Sequence, residues 1–242
     1  MTTDHHEIQI AGMAVEVVRK QIKHLHVGVY PPAGRVRVAA PLRIDDEAVR
    51  LAVVSRLGWI RRRQNGFAGQ DRQSRREIVS GESHYFLGRR YLLTVKECEG
   101  AAQLRLVGKS SMELHVPPGF DHAQRDAVLQ RWYRRQLRAL LPALLAKWEP
   151  RTGKTVSEVR IRRMKTRWGS CNAPARRIWL NLELIKKPVA CLEYVLVHEL
   201  VHLHERHHND RFLEWMDSLL PQWRVHRDEL NRAPLAHEEW TY

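Results

Sequence analysis

The chain has 242 residues, enough for one large domain or two small ones around a real hydrophobic core, and 41 lysines and arginines against 27 acids leave a net charge of +14. Such a balance favours an anionic partner or a merely soluble basic surface. Cys98, Cys171 and Cys191 are odd in number and lack CxxC spacing, which excludes a disulfide framework and a structural zinc ribbon.

The start, MTTDHHEIQIAG, has neither a basic opening nor a long apolar run, so no signal peptide is expected. No stretch reaches the roughly twenty apolar residues that span a bilayer, and a cytoplasmic protein without membrane partners is expected. His5 and His6 read as solvated. From Glu7 to Ala40 short runs alternate apolar and polar residues, punctuated by Gly12, Pro31, Pro32 and Gly34, as antiparallel strands do. Asp45 then caps a helix carrying Val49, Ala52, Val53, Leu57, Trp59 and Ile60 on one side. The basic tract from Arg61 to Arg76 reads as a solvated loop rather than a phosphate-contacting arm.

Three more strand-like runs follow, SHYFLGRRYLLTV with a turn at Gly88, AQLRLV and MELHVP. Pro117, Pro118 and Gly119 interrupt both periodicities and place a boundary there, between a β-rich N-terminal domain, 1–118, and a catalytic domain, 119–242. Asp121 caps a long helix with Val128, Leu129, Trp132, Leu140, Leu141, Leu144 and Leu145 as its buried stripe, and Pro142 is expected to kink or break it. Its Arg131, Arg134, Arg135 and Arg138 read as a wet face rather than a base-stacking surface. VSEVRIRRM and RRIWLNL then read as strands flanking a loop, KTRWGSCNAPA; FLEWMDSLLP is a final helix, and the tail from Gln222 to Tyr242 is basic, then acidic, and says little.

Between these lies EYVLVHELVHLHERHHNDRF, a largely apolar helix with Pro188 placed as its first residue. His198 and His202 are one turn apart on one face, and Glu199 adjoins the first. That is the geometry of two imidazoles on a zinc ion beside a carboxylate that can take a proton from bound water. His208 can reach the same ion only if the helix ends before it, since a continued helix would turn it roughly 120° away. A break near His207, with that residue in the left-handed region, would allow this. The bland alternative is a surface histidine cluster, but buried imidazoles and a carboxylate in an apolar helix need partners, and a metal supplies them. The spacing thus points to zinc on His198, His202 and His208 with an open fourth position.

Taken together, IRRMKTRWGSC, IWLNLELI and YVLVHELVHLHERHHNDRF, with looser likeness in RVRVAAP, LGRRYLLTV and WYRRQL, resemble the YgjP-like metallopeptidases, bacterial zinc hydrolases of the zincin type. The resemblance covers nearly the whole chain. It implies an α+β fold, Zn2+ on His198, His202 and His208, and Glu199 as general base. This sequence has His207 where the family usually has asparagine, and the family pattern favours His208 as the third ligand. The more distant SprT-like proteases often add a C-terminal zinc ribbon; this sequence has no cysteine after Cys191.

Three imidazoles on zinc bring the pKa of bound water to about 7, and Glu199 would shuttle its proton. Arg167, Tyr194, His204 and His226 are all candidates for stabilising an oxyanion, with nothing to choose among them. Lys165, Arg167 and Trp168 are candidate substrate contacts, and Cys171 reads as packing. In zincin-type proteases an edge strand pairs with the extended peptide; Met164 to Gly169 or Ile178 to Leu182 is expected to be that strand. The expectation is a peptidase acting on peptide or protein. The alternatives are a nucleoside-triphosphate pyrophosphohydrolase, whose phosphates the surplus cations would neutralise, and a nucleic-acid-associated protease.

Overall fold

The computed structural model describes residues 5–30, 34–68, 76–164 and 167–232, with the side chains of 66–68 and 232 left aside. It is an α+β protein, and the chain divides between Gln73 and Ser74 into two compact units. The expected boundary at 118/119 is therefore not where the units part. Pro117 to Gly119 merely turns the chain from a strand into a helix that shares one core with it.

In the first unit, β1 (His5–Ile10), β2 (Met13–Lys20), β3 (His26–Tyr30) and β4 (Arg35–Pro41) form a sheet in the order β1-β2-β4-β3. The strands expected from the alternation are present, but not all are antiparallel. β2 and β4 run parallel because β3 returns on the far edge of β4. Alternation places Val15, Val17, Val36, Val38 and Ala40 in a core with Val49, Val53 and Ile60. Those last residues come from two helices rather than one, α1 (Asp46–Val54) and α2 (Leu57–Ala68). Asp45 caps the first by accepting from the Ala48 N–H at 2.9 Å. At its end the Ser55 hydroxyl donates to the Ala52 carbonyl. The front of the basic tract, Arg61 to Ala68, is helical, and 69–75 lies outside the described residues. His5 and His6 are not simply solvated: they contact Glu16 and Asp46.

The second unit begins with β5 (Ser83–Phe86), β6 (Arg89–Glu97), β7 (Gln103–Val107) and β8 (Ser111–Val116), ordered β5-β6-β8-β7 with β6 and β8 parallel. This repeats the topology of the first sheet, and each sheet leads into an Asp-capped helix. The second of these is α3 (His122–Thr152), with a capping box between Asp121 and Gln124. α3 runs through Pro142 without ending, so of the kink or break expected there the break does not occur. The carbonyl that Pro142 leaves without a helical partner belongs to exposed Arg138, where water can satisfy it. Trp132 and Tyr133 are buried, so they pack instead of stacking bases; the Tyr133 hydroxyl donates to the Tyr85 carbonyl at 2.8 Å.

A second, smaller sheet follows: β9 (Glu158–Arg162), β10 (Gly169–Asn172) and β11 (Arg177–Asn181), in the order β10-β11-β9. A 3-10 turn, Leu182–Lys186, leads to α4 (Val189–Val201), α5 (Asp210–Leu219) and α6 (Trp223–Arg232). α4 is the spine of this unit: nine of its thirteen residues are buried. Each large aliphatic among them contributes roughly 1.5–3 kcal/mol by leaving water. Two contacts fix its N-terminal half. The Glu193 carboxylate accepts from Trp148 Nε1 at 2.6 Å and Lys147 Nζ at 2.5 Å, tying α4 to α3. The β5–β6 turn lies against Pro188, and a Cβ on Gly88 would meet Pro188 Cγ at 2.9 Å. Gly88 sits at φ +79°, so glycine is needed there for both conformation and space.

Candidate active site

The helix α4 stops at the point the spacing requires, but not by the means expected. His202 is its C-cap with φ −64°, and the N–H groups of Leu203, His204 and Glu205 bond back to Leu200 and Val201 carbonyls in a tightening last turn. Among the described residues the non-glycines at positive φ are Ala11, Ile78, Leu87 and Arg176, so His207 does not enter the left-handed region. The chain turns away after His204 and restarts as α5, where the Asn209 side chain accepts from the Phe212 N–H at 3.0 Å. His208, immediately before that cap, is carried back over α4.

The result is a triangle of imidazole nitrogens. Nε2 of His198 lies 3.2 Å from Nε2 of His202, and Nε2 of His208 lies 3.1 Å from each. Tetrahedral zinc, with Zn–N of about 2.0–2.1 Å, holds its nitrogens roughly 3.3 Å apart, so the three fit a zinc-sized ion closely. Their protonation fits too. Nδ1 of His202 is 2.9 Å from the Glu205 carbonyl, which can only accept; the proton is therefore on Nδ1 and the Nε2 lone pair faces the triangle. Burial first, then the neighbouring histidines, hold His198 down at about 3, and burial lowers His202 as well, so both stay neutral donors. The ring of Phe212 forms the floor, with its centroid 4.7–4.9 Å from all three imidazoles. His207 is exposed and outside the triangle; its backbone N–H bonds the Glu205 carboxylate.

Glu199 is buried next to this triangle, and burial pushes its carboxyl up to about 8 while Arg167 pulls it down. A dication at the triangle would restore the carboxylate by direct attraction. The wall opposite is β10. A Cβ on Gly169 would meet Glu199 Oε1 at 2.5 Å and Val195 Cγ1 at 2.8 Å, so only glycine lets this strand lie directly on the helix. β10 is an edge strand, paired with β11 on one side, and its residues line the cleft. Of the two segments expected as the edge strand, Met164 to Gly169 meets β10 at Gly169, with 165 and 166 outside the described residues, and Ile178 to Asn181 lies in the central strand β11. The apparent loop KTRWGSC hid a strand because alternation is unreadable through Gly-Ser-Cys-Asn.

Asn181 holds that wall. Fully buried, it donates from Nδ2 to the Met164 and Arg167 carbonyls, both at 2.8 Å, and accepts from the Met164 and Glu183 N–H groups. Sequence reasoning assigned it no role; the signal available was an asparagine ending an otherwise apolar strand. Gly169→Ala should retain metal yet lose roughly 100-fold in turnover, because displacing Glu199 by about 1 Å is enough. Metal analysis beside steady-state kinetics checks this, and near-normal turnover would show that Glu199 does not depend on the strand's close approach.

The triangle opens into a cleft of about 1280 Å³ walled by β10, Trp179, Tyr194 and the end of α6. Of the candidate substrate contacts, Arg167 and Trp168 line it, while Lys165 lies outside the described residues. Arg206 and Arg227 also line it and were not foreseen. Of the oxyanion candidates, Arg167 and Tyr194 border the cleft. His204 instead stacks on Trp215 and contacts the Thr152 carbonyl at 2.7 Å. His226 groups with Cys191 and Glu229, where the thiol donates to the Glu229 carboxylate at 3.3 Å. Cys171 borders the cleft, but burial and then Glu199 raise its thiol to about 11, which agrees with packing rather than nucleophilic use. The helix α6 was missed in the tail. Its Trp223 stacks on Tyr194, 6.2 Å between centroids, and Tyr194 in turn meets the His198 ring edge-on.

A family model described as YgjP-like, metallopeptidase domain, matches residues 25–233. No curated protein matches the chain. Among solved structures the metallopeptidase zymogen of Pyrococcus abyssi abylysin is similar, at 22% identity over 37% of this chain and 90% of that one, with a TM-score of 0.35. A superposition that loose adds nothing to the geometry. Among the described residues no helix is long and apolar enough to cross a membrane.

Proposed function

The chain belongs to the YgjP-like metallopeptidase family, and we propose that it is a zinc-dependent peptidase in which His198, His202 and His208 hold the ion and Glu199 is the general base. The observation that carries this reading is the triangle of Nε2 atoms, 3.1–3.2 Å on a side, open to a cleft and flanked by one buried carboxylate. Zinc bound there supplies a Lewis acid and a water acidic enough to react near neutrality. The chain's own residues do the rest. Phe212 beneath the rings and the Glu205 carbonyl on His202 hold the donors in orientation. Glu199 takes the proton of the attacking water and returns it to the leaving amine. The free edge of β10 can pair with an extended peptide through main-chain bonds, which hold many sequences without reading them.

A nucleoside-triphosphate pyrophosphohydrolase is the second reading, drawn from Arg167, Arg206 and Arg227 in the cleft wall, which could meet phosphates. Zinc-loaded protein incubated with a mixed peptide library and, separately, with the common nucleoside triphosphates separates the two. The expected result is peptide cleavage that disappears in Glu199→Gln. Release of pyrophosphate that depends on Glu199, with no peptide cut, would transfer the assignment to the second reading.

A further inference from the structure

Charge in the cleft is one-sided. Of the described residues that line it, Glu199 is the sole acid, and it stands beside the proposed metal ligands. Against it are Arg167, Arg206 and Arg227, each from a different element: the approach to β10, the segment between His202 and His208, and α6. Arg227 is partly neutralised by Asp228, 2.9 Å away. Arg167 and Arg206 are exposed; Arg167 also acts on the Glu199 carboxyl, lowering it, so Arg206 is the cation with the freer reach into the cleft. The cationic wall continues past Trp179, whose ring carries the guanidiniums of Arg160 and Arg162, each 5.3 Å from its centroid. Arg160 is engaged by Glu158, while Arg162 stands over the indole.

We propose that this cleft selects substrates carrying a carboxylate near the scissile bond, with Arg206 and Arg167 as the residues that recognise it. The proposal rests on the peptidase reading and deepens it by naming the substrate class. Guanidinium groups suit the role because their planar fork binds a carboxylate through two parallel hydrogen bonds, and they stay charged at any working pH. A phosphate chain is the poorer fit. It normally brings a second divalent ion that needs carboxylate ligands, and the described cleft offers none apart from Glu199. An acidic peptide needs no such partner. The carboxylate could be an Asp or Glu side chain or the free C-terminus of the substrate, and both present the same group to an arginine.

The test uses zinc-loaded full-length protein and matched peptides that differ only by Glu, Gln or Lys at scanned positions, each made with a free and with an amidated C-terminus. Side-chain recognition predicts a roughly tenfold or greater gain in kcat/KM for Glu at one or two positions, carried mainly by KM and reduced by salt. Terminal recognition predicts the same gain for the free acid over the amide. In Arg206→Gln the preference should fall toward one, and in Arg206→Glu it should turn toward lysine-bearing peptides, a reversal that mere damage to the fold would not produce. Cleavage with no preference for any carboxylate, or a preference that Arg206 and Arg167 substitutions leave intact, would overturn the proposal while leaving the peptidase reading standing. Failure of the wild type to cut any peptide would overturn both.

Discussion

Glu199→Gln should keep the metal and the fold and lower turnover by roughly 10³–10⁴-fold, the scale of a lost general base. The amide has nearly the shape of the acid and fits against Gly169 in the same space, so β10 keeps its place. What changes is chemical: a glutamine oxygen does not accept a proton at working pH. The loss should fall on kcat and kcat/KM alike, since the proton moves in the transition state and not on binding. Glu199→Asp is a useful companion, because it keeps the carboxylate but retracts it by one methylene from the triangle. It should fall between the two. Turnover within tenfold of wild type in metal-loaded Glu199→Gln would remove Glu199 from the mechanism.

His208→Ala should weaken zinc binding by at least about 100-fold, while His207→Ala should bind as the wild type does. Partners one shell out from a metal already contribute 10–100-fold to affinity, and a ligand itself contributes more. His208 supplies one of three converging lone pairs, whereas His207 is exposed and engages Glu205 only through its backbone N–H. His208 is also exposed and lies just before the Asn209 cap of α5, so alanine there leaves no core cavity, and a fall in metal content reads as loss of a ligand and not of the fold. Equilibrium dialysis followed by elemental analysis of both variants checks this. Full metal retention in His208→Ala would overturn the ligand set.

The basic composition foretold less than it suggested. Arginines on α3 at 131, 135 and 138 are exposed, as a wet helical face should be. Arg134, from the same run, is half-buried and donates to the Ile161 carbonyl at 2.5 Å, a structural task invisible in the pattern. The prolines interrupt less than their pattern suggested. Pro117 and Pro118 marked a turn and not a boundary, and Pro142 sits inside a continuous helix because its cost falls on an exposed carbonyl.

What the sequence determined by itself is local. One turn of helix puts His198 beside His202 and Glu199 next to them whatever surrounds them, and side-chain types at such short separations define the chemistry they can perform. Strand alternation, the aspartate caps and the Leu87–Gly88 turn are likewise short-range, and most were legible. Tertiary structure decided everything that depends on segments far apart in the chain: that β2 pairs parallel with β4, that Gly169 presses β10 onto Glu199, that Phe212 supports three imidazoles at once, and that α6 brings Arg227 and Trp223 to the cleft. Those placements come from burying apolar faces of distant elements against one another, an interaction that is non-directional and satisfied by many partners. No local pattern of residues can therefore name the partner that packing selects.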